Sequence, residues 1–354
     1  MDPAEPRRLR TTGARFARRE PPPTRRRLFT VVTLVVGLVA LAIMMRSIGW
    51  GAIRAALGSV GVWLPVAIAL DLLGLGCDAA ALHGFMGVDA ANVGASRVLA
   101  AQATGRAINI LTPGGALGEP TKLEMLARHV PQARALSALV LLNLATVYVA
   151  IAVIVIGVPI TLIAADLPRT LEITVLVALA VVIPLVIAVG FLLYRGALAS
   201  LSTWLRRLHV IGRKRAASWE VKLAEVDRDL HDLQGGRRAV AFVVLSRVLE
   251  WAAALVLLHA VAITITAKLV IGVFSVGVLL SWVAALVPFG LGVADGGSYA
   301  LYGLLGATGA HGIVMAMLSR IRQLAIALVG LAIMVLANRG DRARGDAATH
   351  GRLR

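Results

Sequence analysis

The stretch that decides the fold is residues 102–122, which read QATGRAINILTPGGALGEPTK. It begins as a moderately apolar helical pattern. Pro113, Pro120 and the glycines between them end that pattern, because such a run cannot continue a helix. The helix predicted after the break, Thr121–Arg128, is too short and too charged to cross a bilayer. We therefore interpret residues 98–128 as a re-entrant hairpin, which enters a membrane and returns to the side from which it came.

Composition indicates an all-α membrane protein. Hydrophobic residues make up 58% of the chain, charged residues only 16%, and the mean hydropathy is +0.83. A soluble protein of 354 residues cannot hide that much apolar surface in its core, whereas a bilayer can absorb it. The apolar residues also fall into runs of about 20 residues, the length that crosses a bilayer. The six full spans that we predict are Leu28–Met45, Val62–Phe85, 135–163, 170–194, Ala239–Ile263 and Ile313–Leu336.

The net charge of +17 follows this predicted topology. Arginine and lysine concentrate in a tail at 1–27, a polar stretch at 195–238 and a tail at 338–354. All three segments flank apolar runs, as expected when basic segments stay on the cytoplasmic side. We predict a multi-pass protein of a bacterial-type inner membrane, with both termini and an amphipathic loop at 195–238 in the cytoplasm and a disordered first tail. No nucleic-acid partner is needed to explain the charge.

A second break lies deep in the apolar second half of the chain, between the helical run Leu269–Leu286 and a short predicted helix, Ser298–Leu305. The breaking residues are Pro113, Gly114 and Gly118 in the first hairpin and Pro288, Gly290 and Gly292 in the second. An acid follows in each case, Glu119 and Asp295. With six full spans the two hairpins enter from opposite sides, which predicts an inverted repeat. Chance similarity between two glycine-rich loops is the alternative.

Polar side chains surround the first break. Arg106 and Asn109 share one helix face before it, and Glu119 and Lys122 open the short helix after it. The N-terminus of that helix offers backbone N–H groups, which suit a phosphate. Because polar groups at membrane depth need polar surroundings, we predict a polar cavity here. The alternative is a glycine-rich loop capped by surface charges at the membrane interface.

Further charged residues lie inside the predicted spans. Arg247 and Glu250 are three positions apart, which predicts an ion pair on one helix face. Asp71 and Asp78 share a face toward the bundle interior, where each could carry a proton or pair with an arginine. Arg320 lies too deep in the last span for a simple interfacial anchor.

Enzymatic constellations are missing from the sequence. The seven histidines are scattered without metal-site spacing, and the single cysteine, Cys77, excludes an internal disulfide. The chain has no nucleophile elbow and no ATPase-type phosphate loop. We therefore expect no enzymatic activity, no cofactor and no metal. Uphill transport would need an ion gradient or a coupled partner.

The residues around the two breaks form two signatures. They are Asn109-x-x-x-Pro113-Gly114-x-x-x-Gly118-Glu119 with Lys122, and Val287-Pro288-x-Gly290-x-Gly292-Val293-x-Asp295 with Arg320 further on. Together they resemble the lysylphosphatidylglycerol synthase transmembrane-region family, also called flippase-like, over residues 28–337. The resemblance implies a membrane domain that moves lipids such as aminoacylated phosphatidylglycerol. By motif match it implies a role for Glu119, Lys122, Asp295 and Arg320.

The sequence departs from the family pattern in three respects. Lys122 stands where arginine is common, and Asp295 stands where glutamate is common. The soluble aminoacyl-transferase domain of the full synthases is absent from this sequence, so we expect no transfer of lysine onto lipid.

The leading hypothesis is a lipid translocase with a polar cleft between the hairpins. Arg106, Lys122 and Arg320 would hold the lipid phosphate. Glu119 and Asp295 would meet a cationic headgroup or a proton. The lipid would be an anionic or aminoacylated phospholipid, or an isoprenoid or glycolipid. The alternatives are a secondary transporter of a small polar solute and a non-transporting subunit that partners an enzyme of lipid or glycan biosynthesis.

Overall fold

The computed structural model describes residues 60–112, 115, 117–164, 236–285 and 293–350, together with isolated positions at 46–58 and 169–184. In these residues it contains nine α-helices, one 3₁₀ turn (Gly87–Asp89) and no strand. The helices are α1 (Trp63–Phe85), α2 (Ala90–Val93), α3 (Ala95–Leu111), α4 (Gly118–Leu126), α5 (Gln132–Ala164), α6 (Gly236–Ala260), α7 (Ala267–Ala285), α8 (Val293–Leu304) and α9 (Gly309–His350). The prediction of an all-α membrane bundle is confirmed.

Four of the described helices are long and apolar enough to cross a membrane: α1, α5, α6 and the part of α9 from Gly309 to Ala337. They correspond to four of the six predicted spans, each within a few residues of the predicted boundaries. The other two predicted spans, Leu28–Met45 and 170–194, lie outside the described residues or are described only at isolated positions. Also outside the described residues are the tail at 1–27, residues 351–354 and the polar stretch up to residue 235. So are five of the six residues predicted to break the helices: Pro113, Gly114, Pro288, Gly290 and Gly292.

Helices α3 and α4 form an antiparallel hairpin around the first break. Gly105 lies against Lys122, and Asn109 lies against Gly118, so rising numbers on one helix face falling numbers on the other. Helix α4 begins at Gly118, three positions before the predicted start, and includes Pro120. The upstream helix ends at Leu111, as predicted, but the predicted start of the second helix at Thr121 was three positions too late. Pro120 fits inside α4 because a proline in the first helical turn gives up an N–H that has no partner in the helix anyway.

Helices α7 and α8 form a second antiparallel hairpin. Leu305 packs on Gly272, and Leu280 packs on Gly297. Helix α8 begins at Val293, earlier than predicted, so Asp295, Gly296 and Gly297 belong to its first turns. With 12 residues it is about 18 Å long, short of the roughly 30 Å hydrocarbon core. Each half of the chain therefore holds a long helix, a break and a short return helix.

The order and packing of the described helices are consistent with the predicted inverted repeat. The first half comprises α1, the α3–α4 hairpin and α5, and the second comprises α6, the α7–α8 hairpin and α9. The equivalent helices α1 and α6 pack together and run antiparallel, because Trp63 meets His259 at one end and Gly84 meets Ala239 at the other. Equivalent elements that run in opposite directions are what two halves inserted in opposite orientations produce.

The packing between the halves is reciprocal. Helix α3 of the first hairpin packs against α9 of the second half, and α7 of the second hairpin packs against α5 of the first half. A glycine lies at each crossing, Gly330 beside Ala103 and Gly157 beside Ser275, where a side chain would collide with the neighbouring helix. Small residues at such crossings let membrane helices approach closely. The interface between the halves therefore depends on both glycines.

Replacing Gly330 with alanine should push α3 and α9 apart, because the added methyl would collide with the backbone carbonyl oxygen of Ala103. We expect a loss of roughly 1–3 kcal/mol of stability, as in other overpacked cores. Thermal melting of the detergent-solubilised protein, followed by size-exclusion chromatography, measures the loss. Gly76→Ala is the matched control, since its methyl meets no atom within 4 Å. Equal melting temperatures for the two variants would contradict the close crossing.

Candidate functional site

A polar cluster lies in the first hairpin, around the carboxylate of Glu119. Lys122 donates a hydrogen bond from Nζ to Glu119 Oε1 over 2.7 Å. Asn109 donates to the same oxygen over 3.3 Å, and Asn143 of α5 donates to Oε2 over 3.1 Å. The structure thus brings together three of the predicted site residues and adds Asn143.

Two glycines make this cluster sterically feasible. Gly105 leaves room on α3 for the aliphatic chain of Lys122, whose side chain is 5% exposed and would collide with any Cβ at that position. Gly118 brings the start of α4 against Asn109, and its backbone N–H donates to Asn109 Oδ1 over 2.8 Å. Glycine is therefore required at both positions, because a methyl group there would displace Lys122 or Asn109.

The start of α4 differs from the predicted phosphate site. Asn109 already accepts the N–H of Gly118, and Glu119 places a carboxylate in the first helical turn. An acid there interacts favourably with the positive end of the helix dipole. Glu119 is also the more open member of its ion pair, with 35% of its side chain exposed. The carboxylate of Glu119 is therefore the accessible group of this cluster, and the side chain of Lys122 is buried.

The second hairpin carries a comparable pair. Asp295 lies in the first turn of α8 and accepts a hydrogen bond from Arg320 of α9 over 2.9 Å. The acid again starts the short return helix and again pairs with a cation of its own half. The structure thus brings the two residues singled out in the second signature into direct contact.

Arg106 belongs to a third group, which lies between α1, α3 and α6. It donates to Glu250 over 2.9 Å, and Glu250 also accepts from Arg247 over 2.8 Å. Arg247 donates in turn to Asp78 over 2.7 Å. The predicted pairing of Arg247 with Glu250 is confirmed, and so is the alternative in which Asp78 pairs with an arginine. Arg106 meets an acid of α6, whereas Lys122 meets Glu119 of its own helix.

Asp71 also pairs with an arginine, which lies on the last helix. Arg322 donates from Nε to Oδ2 over 2.7 Å and from a terminal nitrogen to Oδ1 over 2.5 Å. Both side chains are largely buried. Two parallel hydrogen bonds between a guanidinium and a carboxylate give the strongest and most directional form of ion pair.

Sequence reasoning missed Asn143, Gly105 and the contact between Asp71 and Arg322. A signal for Asn143 was present, because a single amide in an apolar span is costly and marks a polar contact. No local pattern could connect Asp71 with Arg322, which lies 251 positions away. Among the described residues no group of three histidine, cysteine or acidic side chains comes together that could hold a metal ion.

Replacing Arg322 with leucine should destabilise the protein strongly, because Asp71 would remain as a buried charge without its partner. Breaking a buried pair in this way costs about 3–5 kcal/mol, whereas removing both partners is often neutral. We expect a large drop in melting temperature for R322L and recovery of most of it in D71L/R322L. Neutralising the half-exposed pair Glu124 and Arg128 serves as the control and should cost less than about 1 kcal/mol. Additive effects of D71L and R322L would contradict a coupled pair.

Comparison with known proteins and families shows to which family the chain belongs. No curated protein and no solved structure matches it. The family model of the lysylphosphatidylglycerol synthase TM region matches residues 30–330, which include both hairpins and all three polar groups. This chain belongs to the family of the lysylphosphatidylglycerol synthase transmembrane region.

Proposed function

We propose that the protein moves a lipid between the leaflets of a bacterial-type inner membrane. One observation carries the proposal: each inverted half holds a broken helical hairpin whose return helix begins with an acid paired to a base. In this proposal both hairpins are re-entrant and enter from opposite sides, and both termini lie in the cytoplasm. Family membership supports a role connected with membrane lipids.

The physical problem of lipid translocation is the headgroup. A charged group inside the hydrocarbon core costs several kcal/mol even where snorkelling and water defects soften the cost, roughly 2.5–3.5 kcal/mol on insertion scales. Paired polar groups along a path offset that cost, provided that they can exchange partners with the lipid. The ion pairs of the two hairpins are groups of this kind, because each is only partly buried.

The roles of the residues follow from exposure. Glu119 and Asp295 are the more exposed members of their pairs, so we assign them the first contact with a cationic headgroup or a proton. Lys122 and Arg320 would then be released to hold the phosphate. Asn109 and Asn143 would orient the carboxylate of Glu119. Arg106 is held by Glu250, so we no longer assign it to the phosphate.

Glu119→Gln should slow lipid movement strongly, because the amide keeps the shape of the side chain but cannot balance Lys122. Rates are compared per amount of folded, monodisperse protein, since Lys122 is buried and loses its carboxylate partner. The measurement uses proteoliposomes that carry acyl-chain NBD-labelled phosphatidylglycerol or phosphatidylethanolamine, with dithionite reduction reporting the label in the outer leaflet. We expect at least a tenfold fall in the rate, equivalent to about 1.4 kcal/mol. Asp295→Asn should have the same effect.

Glu124→Gln is the matched control, because Glu124 lies on the same short helix and pairs with Arg128. It should keep the parent rate. Lipid movement by the parent no faster than in protein-free vesicles would refute the lipid proposal. Uptake of a water-soluble solute by such proteoliposomes would then favour the secondary transporter, and no transport of either kind would favour the biosynthetic subunit.

A further inference from the structure

Among the described residues, three ion pairs join one half to the other. Asp78 of α1 pairs with Arg247 of α6, Arg106 of α3 with Glu250 of α6, and Asp71 of α1 with Arg322 of α9. The pairs of the two hairpins differ, because each lies within one half. These six residues, three acids and three bases, are called here the charge layer between the halves.

Four of these six residues form a chain in which partners can exchange. The order along the chain is Asp78, Arg247, Glu250, Arg106, with both ends on the first half and both middle residues on the second. The middle residues already pair with each other over 2.8 Å. Arg247 contacts Asp78 and Glu250, and Glu250 contacts Arg106, so the two ends of the chain are joined through the two middle residues. Each half therefore contains an acid and a base that can neutralise each other when the halves separate.

In the present arrangement, two polar atoms of these four residues lack hydrogen-bond partners. Oδ1 of Asp78 and Nε of Arg247 are buried and have no hydrogen-bond partner in the structure. Buried polar atoms normally have partners, and unsatisfied ones mark strain or a functional state. A second arrangement, in which Arg106 turns to Asp78, would supply the missing contact for the acid.

The remaining pair has no alternative of this kind. When Arg106 is matched with Asp78 and Arg247 with Glu250, Asp71 is left as the surplus acid of the first half and Arg322 as the surplus base of the second. Keeping their bidentate contact in the second arrangement leaves none of the six charges without a partner.

We propose that the chain Asp78, Arg247, Glu250 and Arg106 is a partner-exchange switch between two arrangements of the halves, with Asp71 and Arg322 as the pivot. Bistable elements of packed helices underlie many such transitions. The inference rests on the proposed translocation, because a transport cycle is what requires the halves to move. It assigns the charges between the halves to conformational change and leaves substrate contact to the hairpins.

The test measures closure of the halves without any lipid substrate. Gly84 and Ala239 meet at the end of α1, 13 residues from Asp71, or about 20 Å along the helix, so their separation should respond to a turn about the pivot. Cysteines at both positions, in a Cys77→Ser background, would form a disulfide only in the present arrangement. The rate of cross-linking by a mild oxidant in detergent then reports how often the halves are closed.

The charge swap R106E/E250R should lock the halves. It keeps an opposite-charge pair across the interface, yet it places all acids of the layer on the first half and all bases on the second, so that no exchange within a half is left. We expect faster cross-linking than in the parent, by a factor that approaches the inverse of the fraction of parent molecules in the closed arrangement. R106Q/E250Q should act in the same direction with a smaller change, because only the pair between Asp78 and Arg247 remains in the chain.

D89N/R134Q removes an ion pair inside the first half and should leave the cross-linking rate unchanged. Parent-like rates in both charge-layer variants, with monodisperse elution, would overturn the switch. Loss of folded protein in both would also overturn it, because exchangeable partners tolerate removal in pairs. If the parent moves lipid and the charge-layer variants cross-link at the parent rate, the switch alone is refuted. Responsive cross-linking without lipid movement refutes the lipid proposal alone.

Discussion

Charge inside an apolar helix bundle has to be neutralised within the bundle, and this requirement organises the whole structure. Arg322 and Asp71 meet it with two parallel hydrogen bonds between helices that are remote in sequence. Removing a charged group from water costs several kcal/mol, so neither side chain could stay at this depth without the other. This contact therefore holds α1 and α9 together at a charged point within their apolar packing.

The distribution of ion pairs divides the molecule into two kinds of region. Pairs within a hairpin are partly open and join residues close in sequence, such as Glu119 and Lys122. Pairs between the halves join residues more than 140 positions apart, and two of the three, Asp78 with Arg247 and Asp71 with Arg322, are more deeply buried. The first kind suits exchange with a ligand, because little structure depends on it. The second kind suits control of how the halves fit together.

Sequence reasoning succeeded where the determining physics is local. Hydropathy located the described spans, since about 20 apolar residues have few alternatives to a membrane. Helical spacing predicted the pair of Arg247 and Glu250. It placed the start of α4 three positions too late, because a proline is tolerated in the first turn of a helix and so does not mark where the helix begins. It could not connect Asn143 with Glu119, because their contact requires the packing of α5 on α4.

The inverted pairing of α1 with α6 also bears on how such a chain arises. Two like halves that insert in opposite orientations point to duplication of a single ancestral unit able to bind a copy of itself. The present charges no longer permit that: the first half contributes more acid than base to the shared layer, and the second contributes more base than acid. Two copies of either half would meet with unmatched like charges, which disfavours that association. The surface of each half therefore fits the other half and disfavours a second copy of itself.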